Sequence, residues 1–247
     1  MITKGTFMKK MTRFIFDVDG TLTPSRQTMD PEFKEFFLEF MKTHKVWLVT
    51  GSDYPKTKEQ LGADITENVV TCYNCSGSET RHKGKVVNAS SWKLPDEARQ
   101  WLKEELVRSP FMPRAGNHIE ERRGTVNFSV VGRNATLKER QLYVKYDEIN
   151  NERREIANSF NYIYGPSLNI TASIGGETGL DIYPIGNDKS QILSDFNEDD
   201  NIQFFGDKMD FGGNDYPLAI ANKAGKNYHV KDWRETYNIL RSTDVYY

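Results

Sequence analysis

The sequence predicts an α/β fold in which a parallel sheet is split by an inserted α+β domain. Three observations lead to this prediction. Short apolar strands alternate with amphipathic helices over roughly the first 80 residues, the alternation is lost between residues 83 and 187, and it resumes at residue 188. We therefore expect residues 1–82 and 188–247 to form one split core and residues 83–187 to form a second domain.

The first predicted elements are a buried strand at residues 13–16 and a helix at 31–43. Asp30 is a good N-cap for that helix and Pro31 suits its first turn, while phenylalanines recur along it at helical spacing. The pattern continues with a strand, a helix and a strand at residues 46–50, 54–61 and 69–73. Strands and helices in this order predict a parallel sheet whose ligands bind at the carboxyl ends of the strands.

The inserted segment contains hairpins and helices without a strand–helix–strand rhythm. Thr136 and Glu139 predict a capping box at the start of a single long charged helix over residues 136–160. The other elements predicted there are a hairpin, a helix, a hairpin and two strands, at residues 80–87, 95–107, 119–131, 169–173 and 179–183. The first pattern then resumes with a strand, a helix, a strand and a C-terminal helix, the first three at residues 202–205, 214–222 and 226–230.

The composition excludes several classes of partner. Lys and Arg number 33 and Asp and Glu number 35, so the formal net charge is −2 and no strong positive field would attract nucleic acid. No apolar run approaches the roughly 18 residues of a membrane helix. The first residues lack the apolar segment of a secretory signal. We expect a cytoplasmic protein with no nucleic-acid or membrane partner.

The chain has two cysteines, Cys72 and Cys75. Their spacing suits a redox pair, but a predicted strand precedes them where a thiolate would need a helix N-terminus or nearby cations. A structural zinc site would need four ligands. Two buried thiols are the favoured interpretation, with redox chemistry as the alternative.

Polar residues follow the predicted core strands at the point where each strand ends. The carboxylates are Asp17, Asp19, Asp207 and Asp215, and they are joined by Thr50 and Lys189. Four crowded carboxylates are unfavourable unless a cation lies among them, and a site built only from oxygen ligands favours Mg²⁺. Mg²⁺ binds phosphates, which Lys189 and Thr50 would contact. The pattern therefore predicts phosphoryl transfer with a carboxylate nucleophile, although Asp-Val-Asp-Gly alone could equally be a calcium loop or an ordinary turn.

The segment Asp17-Val18-Asp19-Gly20-Thr21 resembles the first motif of the haloacid dehalogenase-like (HAD) phosphotransferases. Thr50 and Lys189 resemble the second and third motifs, and Gly206-Asp207 with Gly213-Asn214-Asp215 resembles the fourth. The chain also resembles eukaryotic-type phosphomannomutases over nearly its whole length. This similarity is carried by residues 19–27, 51–62, 119–140 and 173–189 and by the glycine-rich segments at 204–206 and 212–215.

The resemblance implies a HAD-like Rossmannoid core, an α+β cap and a role for each matching residue. Asp17 would be the nucleophile and Asp19 the general acid and base. Asp17, the Asp19 backbone carbonyl and Asp207 would hold Mg²⁺, with Asp215 nearby. The residues that would bind the sugar phosphate are Arg26, Arg122, Arg133, Arg140, Gly179 and Asp181. A hexose bisphosphate would act as activator, and the family commonly forms homodimers through the cap.

Three positions depart from the family pattern. Gly179 stands where the family usually has serine, residues 73–77 replace a Glu-Asn-Gly segment, and the second motif is Thr50-Gly51-Ser52-Asp53 instead of Gly-Gly-Ser-Asp. Losing one hydroxyl contact at position 179 would cost about 1 kcal/mol. Such a loss would shift the sugar preference more than the mechanism.

The function implied is interconversion of mannose 6-phosphate and mannose 1-phosphate, with the glucose phosphates as further substrates. A HAD-type sugar-phosphate phosphatase is the alternative, because it shares the aspartyl phosphate and uses water in place of the second hydroxyl. Arginine clusters on a cap favour the mutase, since a mutase must also hold the distal phosphate. Without the family resemblance these arginines would be interpreted as solvated surface charges. A non-catalytic sugar-phosphate-binding protein is disfavoured by the presence of Asp17, Asp19, Lys189 and Asp207.

Overall fold

A computed structural model of the chain describes residues 11–242 of the 247. Two sheets organise this part of the protein, one of seven strands and one of four. The strands are β1 (Thr12–Phe16), β2 (Lys45–Val49), β3 (Thr71–Asn74), β4 (Glu79–His82), β5 (Lys85–Ala89), β6 (Ile119–Arg122), β7 (Thr125–Phe128), β8 (Ile170–Gly175), β9 (Gly179–Pro184), β10 (Asn201–Gly206) and β11 (Lys226–His229).

The α-helices are α1 (Pro31–Thr43), α2 (Tyr54–Leu61), α3 (Ala63–Thr66), α4 (Asp96–Arg108), α5 (Leu137–Asn150), α6 (Glu152–Leu168), α7 (Tyr216–Ala221) and α8 (Trp233–Arg241). Short 3-10 helices lie at Cys75–Gly77 and Lys189–Asp195. No helix within residues 11–242 combines the length and the apolar character that crossing a membrane requires.

The larger sheet has the strand order β11-β10-β1-β2-β3-β4-β5. Its first five strands are parallel, and β4 and β5 extend it in antiparallel pairing. Both faces are covered: Phe14 and Phe16 pack against the phenylalanines of α1, whereas Ile15 lies on the opposite face with Trp47 and Phe204. Apolar residues on both faces are typical of buried parallel strands. The α/β prediction is confirmed, and the carboxyl ends of β1, β2, β3 and β10 share one edge.

Strand β5, which follows the predicted start of the inserted segment, pairs within the larger sheet. Arg81 pairs with Val86 and His82 with Lys85, so β4 and β5 form a hairpin within the larger sheet. The boundary predicted between residues 82 and 83 falls inside this hairpin, because hydrogen bonding continues across it. The chain leaves the larger sheet only after Ala89, and we use the word cap below for residues 90–187.

The cap contains the smaller sheet, of strand order β6-β7-β9-β8, with α4, α5 and α6 packed on one face. Val126, Phe128 and Ile182 point into the cluster between this sheet and the helices. Alternation along each strand therefore sends the intervening residues to the other face. In register across that face lie Glu120, Asn127, Asp181 and Ser173.

The single helix predicted over residues 136–160 is wrong, because two helices meet at Asn151. Asn151 adopts a left-handed conformation with φ 53°, which asparagine tolerates better than most residues. The Asp147 carboxylate stabilises the break by accepting from the backbone and guanidinium of Arg153 at 2.8 and 2.7 Å. The predicted capping box of Thr136 and Glu139 is confirmed.

Cys72 and Cys75 are buried, free thiols. Burial raises the pKa of each thiol to about 12, so both are protonated near neutral pH. The prediction of two buried thiols is confirmed.

Candidate active site

The carboxyl end of β1 delivers Asp17 to a buried lysine. Lys189 begins a 3-10 helix that Asp188 caps, and its Nζ lies 2.5 Å from Asp17 Oδ1 and 2.6 Å from Asp215 Oδ1. All three side chains are buried. Burial opposes the charge of Lys189, but the two carboxylates outweigh burial and raise its pKa. The structure thus brings together three of the predicted site residues, with two carboxylates around the charged Lys189.

Asp207 completes a group of carboxylates at this edge of the larger sheet. One oxygen from each of Asp17, Asp207 and Asp215 lies within 4.8 Å of the others. Burial, the largest influence, raises the pKa of Asp17, and the charges of Asp215 and Asp207 raise it further against the opposing effect of Lys189. Burial likewise raises the pKa of Asp207. Three carboxylates beside one buried lysine leave an excess of negative charge that a cation would neutralise.

A glycine permits this close approach. Gly20 has φ +84°, a conformation that other residues rarely adopt. A Cβ at this position would also collide with the Asp207 carboxylate. The turn after β1 can therefore pass directly over the carboxylate group only with glycine at position 20.

The Asp19 carboxylate lies outside this group. It accepts from the Arg26 backbone N–H at 2.6 Å, the Gln60 amide at 2.9 Å and the Ser52 hydroxyl at 3.2 Å. These donors hold the side chain toward α2 and the end of β2. A metal contact from Asp19 would fall to its backbone carbonyl, as the family resemblance implies.

Thr50 is buried at the end of β2, and its hydroxyl accepts from the Ser52 N–H at 3.1 Å. The loop that departs from the family pattern supports this strand end: Ser76 N–H donates to Thr50 O at 2.8 Å and Cys75 N–H to Ser52 O at 2.9 Å. Cys75 and Ser76 both have positive φ, 49° and 58°. The replacement segment therefore still braces the predicted phosphate-binding residue, through backbone groups.

Three of the four predicted arginines belong to the cap and carry acidic partners. Arg122 donates to Glu120 Oε2 from Nε at 2.9 Å and from Nη2 at 2.5 Å, and Arg133 Nε lies 3.1 Å from the same oxygen. Arg140 lies 3.7 Å from Glu177. The charges of Arg122 and Arg133 lower the pKa of Glu120 against the effect of burial.

The arginines of the cap approach the carboxyl edge of the larger sheet. Arg122 Nη1 donates to the backbone carbonyl of Gly51, just beyond β2, at 3.2 Å. Arg26, from the loop after β1, is close enough to lower the pKa values of Arg133 and Arg140, although burial is the larger cause for both. The fourth arginine, from the core, thus lies near Arg133 and Arg140 of the cap.

Asp181 and Gly179 lie on the polar face of the smaller sheet. Asn127 Nδ2 donates to Asp181 Oδ1 at 2.8 Å, and Asp181 Oδ2 lies 4.0 Å from the Cβ position of Gly51. A Cβ at Gly179 would lie 2.7 Å from Asn127 Nδ2. The buried Asn127 Oδ1 has no hydrogen-bond partner. The glycine therefore leaves room for Asn127 to hold Asp181.

Sequence reasoning assigned no role to Glu120, Gln60 or Asn127, which contact the predicted site residues. Glu120 could have been found, because it stands two residues before Arg122 in a predicted strand and shares its face. Gln60 and Asn127 carry no such signal, since their partners Asp19 and Asp181 lie 41 and 54 residues away.

The chain is similar to known proteins in sequence and in fold. The profile of the family described as eukaryotic phosphomannomutase matches residues 33–244. A phosphomannomutase of Arabidopsis thaliana is 37% identical over 218 residues, covering 85% of this chain and 87% of the plant protein. A phosphomannomutase of Oryza sativa subsp. indica is 35% identical over 215 residues, covering 85% of this chain and 86% of the rice protein.

Among solved structures, the C-terminal domain of Candida albicans trehalose-6-phosphate phosphatase matches with a TM-score of 0.67 and 16% identity. The match covers 94% of this chain and 91% of the Candida albicans domain. At this identity the similarity establishes the HAD fold of the chain and nothing about its substrate.

Proposed function

The chain belongs to the eukaryotic phosphomannomutase family, and we propose that it interconverts mannose 6-phosphate and mannose 1-phosphate through an aspartyl phosphate on Asp17. One observation carries the proposal beyond family membership. The chain has a buried centre, formed by Asp17 and Lys189, and a separate cluster of arginines on the facing side. A hydrogen bond from Arg122 Nη1 to the Gly51 carbonyl connects the two. A mutase needs these two phosphate sites, because one phosphate reacts while the other is held.

In the first step an oxygen of the Asp17 carboxylate attacks a phosphorus atom of a hexose bisphosphate. The bond between phosphorus and the sugar oxygen breaks, and that oxygen leaves with the electron pair and takes a proton from Asp19. Lys189 holds the Asp17 carboxylate in place for the attack. The products are a hexose monophosphate and the phosphorylated Asp17.

The second step passes the phosphoryl group to the free hydroxyl of mannose 1-phosphate. Asp19 takes the proton of that hydroxyl, the oxygen attacks phosphorus, and the bond to Asp17 breaks to restore the carboxylate. The bisphosphate then turns, so that its other phosphate meets Asp17 and the distal phosphate meets the arginines. Repeating the first step releases mannose 6-phosphate and leaves Asp17 phosphorylated again.

We propose Mg²⁺ as the cation of the carboxylate group. The fit rests on the donors, which are carboxylate oxygens within 4.8 Å of one another, and on the presence of three such carboxylates beside one buried lysine. Asp17 and Asp207 would hold the ion, with the Asp19 carbonyl as a further ligand and Asp215 beside it. Bound there, Mg²⁺ supplies electrophilic stabilisation of the phosphoryl oxygens.

The second phosphate is assigned to Arg26, Arg122, Arg133 and Arg140, and a sugar hydroxyl to Asp181. Guanidinium groups suit this role because their planar donor fork matches phosphate oxygens. Placing three of them on the cap allows the cap to release the bisphosphate and grip it again after it turns.

Mannose 1-phosphate with a trace of hexose bisphosphate tests the proposal. We expect mannose 6-phosphate to appear in a coupled assay, and we expect Asp17→Asn to abolish its formation. Asp64→Asn, on α3 and paired with Lys34, is the matched control and should retain activity. Release of inorganic phosphate without mannose 6-phosphate would refute the mutase and favour a sugar-phosphate phosphatase.

We further propose a cytoplasmic homodimer formed through the cap. Support comes from large apolar side chains that the cap exposes, among them Leu137, Ile149 and Tyr162, each about 80% exposed or more. Light scattering of the purified protein tests the assembly: a mass near that of two chains is expected, and a monomer at micromolar concentration would contradict it.

A further inference from the structure

Glu120 and Glu121 are neighbours in β6, yet they serve opposite faces of the smaller sheet. Glu121 points toward α4, where it pairs with Arg99, and it also pairs at 2.9 Å with Lys93, which lies just before that helix. Glu120 points to the polar face, where its Oε2 is shared by Arg122 and Arg133. Each glutamate thus bridges two cations, but only Glu120 bridges two of the proposed phosphate-binding arginines.

The contacts of Glu120 determine how Arg122 is oriented. Arg122 has five N–H donors; Glu120 accepts from Nε and Nη2, and the Gly51 carbonyl accepts from Nη1. These three bonds hold the guanidinium on two sides. One N–H on Nη1 and one on Nη2 remain available to donate to another acceptor, such as a phosphate oxygen. Its position is therefore fixed before any phosphate arrives.

The same carboxylate permits two arginines to lie side by side. Burial lowers the pKa of Arg133, and the nearby charge of Arg122 lowers it further, while Glu120 opposes both effects. Without a negative charge between them, the two guanidinium groups would repel each other and separate. A separated pair could not present donors to a single phosphate group.

We propose that Glu120 is a positioning residue, which fixes Arg122 and Arg133 in the geometry that holds the distal phosphate of the substrate. This inference rests on the proposed function and assigns Glu120 no contact with the reacting atoms. The alternative is that Glu120 competes with phosphate for the arginines, in which case removing its charge would strengthen substrate binding.

The substitution Glu120→Gln tests the proposal, because it keeps the shape of the side chain and removes the charge. We expect kcat/KM for mannose 1-phosphate to fall by about tenfold or more, the usual scale for loss of a hydrogen bond between charged groups. Glu121→Gln, in the adjacent position of the same strand, should stay within twofold of the wild type. Hydrolysis of acetyl phosphate, which needs Asp17 but no distal grip, should be unchanged in both variants.

Binding without turnover gives a second measurement. In an Asp17→Asn background, calorimetry should show mannose 1-phosphate bound about tenfold more weakly when Glu120→Gln is added, and unchanged when Glu121→Gln is added. Equal affinities for the two variants, or tighter binding with Glu120→Gln, would overturn the inference. The proposed function is judged separately, by whether the wild type isomerises mannose 1-phosphate at all.

A double-mutant cycle tests whether Glu120 acts through Arg133. Glu120→Gln and Arg133→Lys are combined, and kcat/KM is measured for all four proteins. If Glu120 positions Arg133, the double variant should lose less activity than the product of the two single losses. Losses that multiply independently would overturn the part of the inference that concerns Arg133.

Discussion

Lys189 Nζ and Asp17 Oδ1 lie 2.5 Å apart in a pair that is closed to solvent, although 172 residues separate them in the chain. A buried charge is tolerated only when it is paired, and here one ammonium serves Asp17 and Asp215 together. The pair therefore joins the beginning of the chain to its last third and fixes the proposed nucleophile.

Replacing Lys189 by methionine should destabilise the protein and prevent phosphorylation of Asp17. The substitution leaves two buried carboxylates without their cation, which costs about 3 to 5 kcal/mol. Urea unfolding in the presence of a chelator measures the loss. Lys208→Met, an exposed lysine 3.2 Å from Asp207, should cost less than about 1 kcal/mol. Equal losses in the two variants would contradict the pairing described above.

Mg²⁺ should raise the thermal midpoint of the wild type more than that of Asp207→Asn. The wild type places three carboxylates together, and an ion that binds only the folded state stabilises it. Without metal, the variant should be at least as stable as the wild type, because one repelling charge is gone. Asp210→Asn, exposed in the same loop, should keep the full shift. A shift of equal size in Asp207→Asn would argue against this site.

Gly179→Ser should lower kcat/KM by about tenfold. The new Cβ would lie 2.7 Å from Asn127 Nδ2, so Asn127 must move and its 2.8 Å hydrogen bond to Asp181 is lost. Gly165→Ser, in α6, is the control, since the closest heavy atom to its Cβ, apart from its own helix, would be 3.8 Å away. An unchanged or increased kcat/KM in Gly179→Ser would mean that Asn127 does not need this space.

The difference in stability between the wild type and Glu120→Gln should depend on pH. Arg122 and Arg133 hold the pKa of Glu120 below its ordinary value of 4.5 despite burial. A carboxylate with a lowered pKa stabilises the fold above its ordinary value, and the benefit disappears as pH falls through the lowered one. The unfolding free energies of the wild type and Glu120→Gln should therefore converge as the pH falls from 7 to about 3. A difference that persists at low pH would indicate lost packing instead of lost charge.

Local signals predicted most elements of the fold correctly. Helix α1 begins and ends where Asp30, Pro31 and the spacing of its phenylalanines indicate. The break at Asn151 escaped prediction, because helical periodicity continues through it and asparagine adopts the left-handed conformation without a sequence marker. The sheet to which β5 belongs also escaped prediction, because the sequence of a hairpin does not show which sheet the hairpin joins.

The carboxylate group was predictable because its members follow core strands, and parallel strands carry their carboxyl ends to one edge. The orientation of Asp19 was not predictable, because Ser52 and Gln60, which hold its side chain away from the other carboxylates, come from other parts of the fold. Glu120 is a partial exception: strand alternation places it on the face of Arg122, but its contact with Arg133, which comes from another segment, depends on the fold of the cap.

By itself the sequence determined the fold class, the family and the residue types at the strand ends, because periodicity and short motifs are local properties. Tertiary structure alone decided which charges neutralise one another, how Asp19 is turned and why Gly179 accommodates Asn127. Those outcomes depend on side-chain directions and distances between elements that are remote in the chain, and no local pattern encodes them.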